Sequence, residues 1–173
     1  GPDRLVEAAV LLAERGVEFR LEIVGEGAMR SGLESRILAG GARLAERVRL
    51  TGRADEDGVL AVLRRAAVFV LPSRTEAAPV ALMEAMSCGL ACVASDVGGV
   101  GAMLDGGRCG VLVPAGDPQA MAGAIAGLLA DPARRRTLGA AARDRALRHY
   151  RLEAAADALA AVWSRAVEEA RAR

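Results

Sequence analysis

The 173-residue chain contains no lysine and no asparagine, a single histidine and only 2% aromatic residues. So few aromatics leave no stacking platform for single-stranded nucleic acid, and a formal net charge of +1 leaves no basic face for a phosphate backbone. Nucleic acid is therefore not an expected partner. All 23 basic residues are arginine, a bias that reads as the mark of a GC-rich bacterial genome and carries no mechanism. The three cysteines, Cys88, Cys92 and Cys109, share no metal-ligand spacing with the lone His149, so no structural zinc site is expected. They lie beside or within apolar stretches and read as small core hydrophobes with reduced thiols, in a cytosolic setting. No apolar run approaches the length of a membrane span, and the start lacks the pattern of a signal peptide.

What the chain does have is patterned hydrophobicity. Residues 1–173 are long enough for one domain with a real core, and 53% of them are hydrophobic. Leu5, Val6, Ala9, Val10, Leu12 and Ala13 recur at helical spacing. After them, strands are expected at 19–24, 48–51, 67–71, 91–95 and 110–113, and helices at 29–38, 57–65, 79–87 and 100–104. Three further helical stretches follow Asp117-Pro118, broken at Asp131-Pro132 and near Tyr150-Arg151, with Asp117 and Asp131 as N-caps. Strand alternating with helix predicts an α/β fold: a doubly wound, Rossmann-like parallel sheet of about five strands, helices on both faces and extra helices at the C-terminal end. No internal repeat or long linker interrupts it.

Chemistry concentrates between Pro72 and Met86. Glu76 and Glu84, eight positions apart, bracket the start of a predicted helix that follows the strand Val68-Phe69-Val70-Leu71. Both then lie near the carboxyl end of a strand, where open α/β sheets bind ligands. Pro79 suits the first turn, and the free amides at about Val80, Ala81 and Leu82, with Ala78 just before them, suit a phosphate. Gly25-Glu26-Gly27 ends an earlier strand, and its missing side chains let a ligand approach the backbone.

These residues resemble the retaining glycosyltransferases of family 4, whose GT-B fold has a donor domain carrying a Glu-x7-Glu motif. The resemblance covers nearly the whole chain. Ile23-Val24-Gly25-Glu26-Gly27 looks like the family's strand and Gly-x-Gly turn, and Val48-Arg49-Leu50-Thr51-Gly52-Arg53 like its strand at the nucleotide base. Leu82-Met83-Glu84-Ala85-Met86-Ser87-Cys88-Gly89-Leu90, Val93-Ala94-Ser95-Asp96-Val97-Gly98-Gly99 and Gly110-Val111-Leu112-Val113-Pro114 are similar to later segments, in the family's order.

The resemblance implies a single donor-binding domain over residues 1–173, the C-terminal half of a GT-B enzyme, lacking its first strand and its N-terminal acceptor domain. It implies a nucleotide-diphosphate-sugar as donor substrate, no cofactor and no essential metal. The whole enzyme would be a hexosyltransferase acting in cell-surface glycan or glycolipid synthesis, cytoplasmic or peripheral to the inner membrane through the missing domain. Glu76 would be the catalytic residue at the transferred sugar. Glu84 would hold the ribose, with Gly25, Gly27, Arg53, Ala78, Pro79, Val80 and Ala81 around the nucleotide and sugar. The family's diphosphate-binding Arg and Lys precede its first helix and have no counterpart here; Gly1 is either the last glycine of that loop or a protease-cleavage scar. The isolated chain is accordingly expected to be inactive.

Taken singly, the same residues read more plainly. Glu84 alone is a solvated helix residue, Glu76 a loop acid and Gly25-x-Gly27 a tight turn, and Arg53 and Arg74 are either phosphate or base neighbours or, in a chain with 23 arginines, surface charges. Arg134-Arg135-Arg136 reads as a solvated face, and Leu159, Val162, Trp163 and Val167 either pack on the core or, by the resemblance, cross to a partner domain. Ala77-Ala78-Pro79 also departs from the Gly-Phe-Gly frequent in the family, and Gly101-Ala102 stands where Pro-Glu is common. A non-catalytic nucleotide-sugar-binding module and a doubly wound interaction domain therefore stay open beside the transferase.

Overall fold

The computed structural model describes residues 1–171. Helix α1 (Pro2–Glu14) opens with Pro2, where a missing N–H costs nothing, and buries Leu5, Ala8, Ala9 and Leu12 along one stripe. There follow β1 (Leu21–Val24), α2 (Arg30–Ala39), α3 (Ala42–Ala45), β2 (Val48–Gly52), α4 (Glu56–Arg65), β3 (Val68–Leu71) and α5 (Val80–Ser87). Then come β4 (Ala91–Ser95), α6 (Val100–Met103), a 3-10 turn at Asp105–Gly107, β5 (Val111–Val113), α7 (Pro118–Ala130), α8 (Pro132–His149) and α9 (Leu152–Arg171). Asp117 and Asp131 cap α7 and α8 by accepting from the Ala120 and Arg134 amides, each 2.9 Å away.

Every strand pairing is parallel, but the strands form two sheets instead of the single sheet expected. β1 pairs with β2, placing Leu21 opposite Val48; β3, β4 and β5 pair in that order, with Val70 opposite Val93. The reason is local: among the described residues no strand lies between β1 and β3 to join them. Four-residue α3, which follows Gly40-Gly41, was also not anticipated.

Strand β4 is buried along its whole length because helices cover both faces of its sheet. The pleat sends Cys92 and Ala94 into a core with Leu82, Met86 and Leu104, and Ala91 and Val93 into another with Leu5, Leu12 and Leu128. Burial pushes the Cys92 thiol up to about 12 and keeps it protonated. Cys109 is likewise buried, Cys88 half-buried, and all three are free thiols.

Helix α8 ties together the ends of three other helices through arginines. Arg135 donates to the Leu128 and Leu129 carbonyls at 2.6 and 2.8 Å, closing α7. Arg145 donates to the Met103 and Ala102 carbonyls at 2.8 and 2.7 Å, and Arg143 reaches the Ser87 carbonyl at the end of α5. Arg135 is thus a half-buried cap and not part of a solvated face, because the turn at Asp131 folds α8 back against the carbonyls that end α7. On α9, Leu159, Val162, Trp163 and Val167 are exposed, Trp163 by 66%.

Where α8 crosses the end of α5, a Cβ on Gly139 would lie 2.1 Å from the Gly89 carbonyl oxygen. Gly139→Ala is expected to lower unfolding free energy by about 1–3 kcal/mol in urea titrations, since overpacking outweighs the roughly 1 kcal/mol helix preference of alanine. An unchanged midpoint would mean that the crossing is looser than described.

Candidate functional site

Two strand ends and two helix starts converge at one end of the domain. β1 runs into Gly25, whose φ of 132° is open to glycine and strained for other residues, and whose amide donates to the Gly52 carbonyl at 2.8 Å. Beside it, Arg30 donates to the Glu26 carboxylate at 3.4 Å. β3 runs into Pro72 and a loop over residues 73–79 that leads to α5.

That loop is gripped by glycines. A Cβ on Gly98 would lie 1.7 Å from the Glu76 carbonyl oxygen, and one on Gly99 would lie 2.2 Å from that of Ala77. From the other side, a Cβ on Gly1 would lie 1.7 Å from the Pro72 carbonyl oxygen. No side chain fits at any of the three without moving backbone. Within the loop, the Ser73 hydroxyl donates to Glu76 Oε1 at 2.6 Å, which fixes one carboxylate oxygen of a half-buried side chain. Arg74 donates to Asp3 Oδ2 at 2.5 Å and so ties the loop to the first turn of α1. Arg74 is therefore engaged as well as exposed. Asp3 escaped the sequence reading; its signal is an acid in the first turn of a helix, where the dipole favours it.

Burial works to raise the Asp3 pKa, but the Arg74 hydrogen bond and charge, with backbone donors, outweigh it and hold the carboxyl below its usual 3.8. Its other oxygen, Oδ1, is buried without a hydrogen-bond partner.

Pro79 is the N-cap of α5 rather than its first helical residue. Leu82 already donates to the Pro79 carbonyl at 3.1 Å, so the amides left without a backbone acceptor are those of Val80 and Ala81 only. Ala81 and Glu84, three apart, share one helix face. Glu84 is exposed, and with Gly25, Gly27, Ala81 and Ser73 it lines a cavity of about 1000 Å³ that continues between the two sheets. Glu76, Arg53, Ala78, Pro79 and Val80 do not line it; Glu76 stands behind Ser73, and Arg53 is exposed just beyond β2. Among the described residues no group of three or more His, Cys, Asp or Glu could hold a metal, and no helix is long and apolar enough to cross a membrane.

The profile of the glycosyl transferases group 1 family matches residues 1–131. The chain belongs to that family. Among related glycosyltransferases, α-D-kanosaminyltransferase of Streptomyces kanamyceticus is 34% identical over 94% of this chain and 42% of its own length. A D-inositol 3-phosphate glycosyltransferase of Catenulispora acidiphila is 36% identical over 99% of this chain and 42% of its own. The glycosyltransferase chain thus spans about two fifths of the length of these relatives. Sucrose-phosphate synthase of Thermosynechococcus elongatus superposes with a TM-score of 0.84 at 31% identity, over 96% of this chain and 42% of that one. A protein of Anabaena solved with UDP-glucose gives 0.82 at 21% identity, over 95% and 45%. The fold, parallel sheets flanked by helices, is that of GT-B glycosyltransferases.

The Asp3–Arg74 pair makes the loop acid-sensitive. The folded state holds ionised Asp3 more tightly than the unfolded chain does, so its stabilisation is complete above 3.8 and fades as pH falls toward the lower folded value. Arg74 is half-exposed, and screening limits the pair to about 1 kcal/mol. Urea midpoints taken near neutrality and at about pH 3 should therefore differ less in Asp3→Asn than in the parent. Identical acid losses in both would remove Asp3 from the account.

Proposed function

We propose that the chain is the donor-binding, C-terminal half of a retaining, family 4 glycosyltransferase of hexosyltransferase type. It would hold a nucleotide-diphosphate-sugar while a separate N-terminal domain presents the acceptor. One observation carries this reading: the Gly25-x-Gly27 turn, the open amide of Ala81 and the Glu84 carboxylate line one cavity at the strand carboxyl ends. An Anabaena protein of the same fold has been solved with UDP-glucose, which supports a nucleotide-sugar as the ligand class.

The chemistry asks for two kinds of group. Breaking the bond between sugar and diphosphate builds positive charge on the ring and negative charge on the leaving phosphate. The Val80 and Ala81 amides, at the positive end of α5, serve the phosphate without an essential metal. Glu84, in the second turn, accepts from ribose hydroxyls. Glu76, with Oε1 held by Ser73, accepts hydroxyls of the transferred sugar through its other oxygen and opposes the ring's developing charge. The Gly98-Gly99 contact fixes where that carboxylate stands.

The test uses the longer enzyme, with acceptor domain present. Glu84→Ala should weaken both nucleoside diphosphate and intact donor by about 1.5–3 kcal/mol in calorimetry, because the ribose is common to both. Glu76→Ala should leave diphosphate affinity nearly unchanged while turnover falls, as for an interaction made chiefly in the transition state. Equal losses of diphosphate affinity in the two variants would overturn the assignment. Diphosphate binding without any turnover in the unsubstituted enzyme would favour a non-catalytic module, and no binding at all an interaction domain.

A further inference from the structure

Two aspartates are followed directly by glycine, Asp57-Gly58 and Asp105-Gly106. The step matters chemically because glycine has no side chain to hinder its own nitrogen from attacking the carboxyl group before it. With no asparagine in the chain, these are the two places where the main chain is most open to that cyclisation. The fold treats them differently.

At Asp57-Gly58 the nitrogen is engaged. The pair lies in the first turn of α4, and the Gly58 amide donates to Asp55 Oδ1 at 2.9 Å. At Asp105-Gly106 it is not: Gly107 and Cys109 donate to the Leu104 carbonyl and Arg108 to that of Asp105, while among the described residues the Gly106 amide meets no acceptor. Asp105, Gly106 and Gly107 have φ of 53°, 63° and 96°, so no helical ladder runs through the turn, and among the described residues Asp105 is the only non-glycine at positive φ. What is engaged here is the carboxylate. Arg108 lays its guanidinium across both oxygens, Nε to Oδ2 at 2.7 Å and Nη2 to Oδ1 at 2.9 Å, and Arg145 of α8 stands 3.6 Å from Oδ1.

We propose that Asp105-Gly106 is a site of isoaspartate formation and that Arg108 is the residue restraining it. In the reaction the Gly106 nitrogen bonds to Asp105 Cγ, the bond from Cγ to one carboxyl oxygen breaks, and that oxygen leaves as water with the carboxyl proton and the amide proton. Water then opens the cyclic imide. Addition at Cγ restores aspartate, whereas addition at the main-chain carbonyl leaves a backbone that runs through the side chain and is longer by one methylene. The water lost in the first step is regained in the second, and no cofactor or oxidant enters. Because the leaving oxygen must carry a proton, a guanidinium that binds the carboxylate as an anion opposes the first step. The Arg108 hydrogen bond and charge, with the charges of Arg145 and His149 on α8, outweigh partial desolvation and hold the Asp105 carboxyl below its ordinary 3.8.

The product does not fit the turn. Directly after it, Cys109 donates to the Leu104 carbonyl at 3.1 Å, and a Cβ on Gly110 would lie 2.9 Å from the Cys92 carbonyl oxygen. β5 therefore enters its place beside β4 with no slack to absorb an added methylene. Isomerisation at 105 is a lesion of the domain's frame, and it stands whether or not the donor site is as described above.

The experiment compares the parent chain with Arg108→Gln, a change at a side chain 78% exposed, during long incubation in warm buffer. Peptide mapping with electron-transfer fragmentation reads isoaspartate at residues 57 and 105, and a urea-unfolded sample supplies the unrestrained rate. At neutral pH, isoaspartate at 105 should accumulate severalfold faster in Arg108→Gln than in the parent, while residue 57 stays slow in both folded chains, and the isomerised molecules should melt at lower temperature. The gap at 105 should close as pH falls through 3.8, where the carboxyl takes up its proton in either chain. A gap that persists in acid would show Arg108 merely stiffening the turn, and would overturn the restraint proposed. So would equal rates in the two folded chains, a parent as fast as the unfolded sample, or a variant in which residue 57 speeds up alongside 105.

Discussion

Backbone-to-backbone contact at three glycines governs the candidate site more than any side-chain interaction does. The loop carrying Glu76 is pinned between Gly1 on one side and Gly98-Gly99 on the other, at separations that admit hydrogen atoms and nothing larger. Helix α5 starts where that loop ends, so the same contacts set where the Val80 and Ala81 amides point. Ser73 and Arg74 then add direction: one orients the carboxylate, the other moors the loop to α1. A site assembled in this way owes its geometry to absent side chains, which is economical in a domain of small residues.

Much of the framework was legible because it is periodic. The buried run Ala91–Ser95, the helical stripe of α1 and the Asp-Pro starts of α7 and α8 each carry a local signature, and the strands and helices between 19 and 113 that were given bounds lie within two residues of them. Neighbour relations carry none. Alternation reports which faces of a strand are buried but not which strand lies beside it, so the division into two sheets was invisible. The same limit hid Asp3: its partner Arg74 is 71 residues away, and an acid in a first helical turn has a sufficient local explanation. Arg135 was misread for the converse reason, since three consecutive arginines look solvated until a neighbouring helix end is brought to one of them.

The candidate residues divide along similar lines. Gly25, Gly27, Ala81 and Glu84 gather at one cavity because each stands at a strand end or helix start facing it, positions that sequence can mark. Glu76 lies one hydrogen bond behind it, and Arg53 apart from it. How many amides a helix leaves open depends on whether its first turn closes as a 3-10 bond, and Leu82 donating to Pro79 removes one that counting alone would include.

The arginines of α8 add a different property. Their acceptors are main-chain carbonyls of α5, α6 and α7, so this clamp uses no carboxylate. The mooring of the Glu76 loop, by contrast, depends on a carboxylate. Protons therefore act on one tether of the loop, and only below the ordinary carboxylate range, while the glycine contacts still hold the loop when that tether is lost.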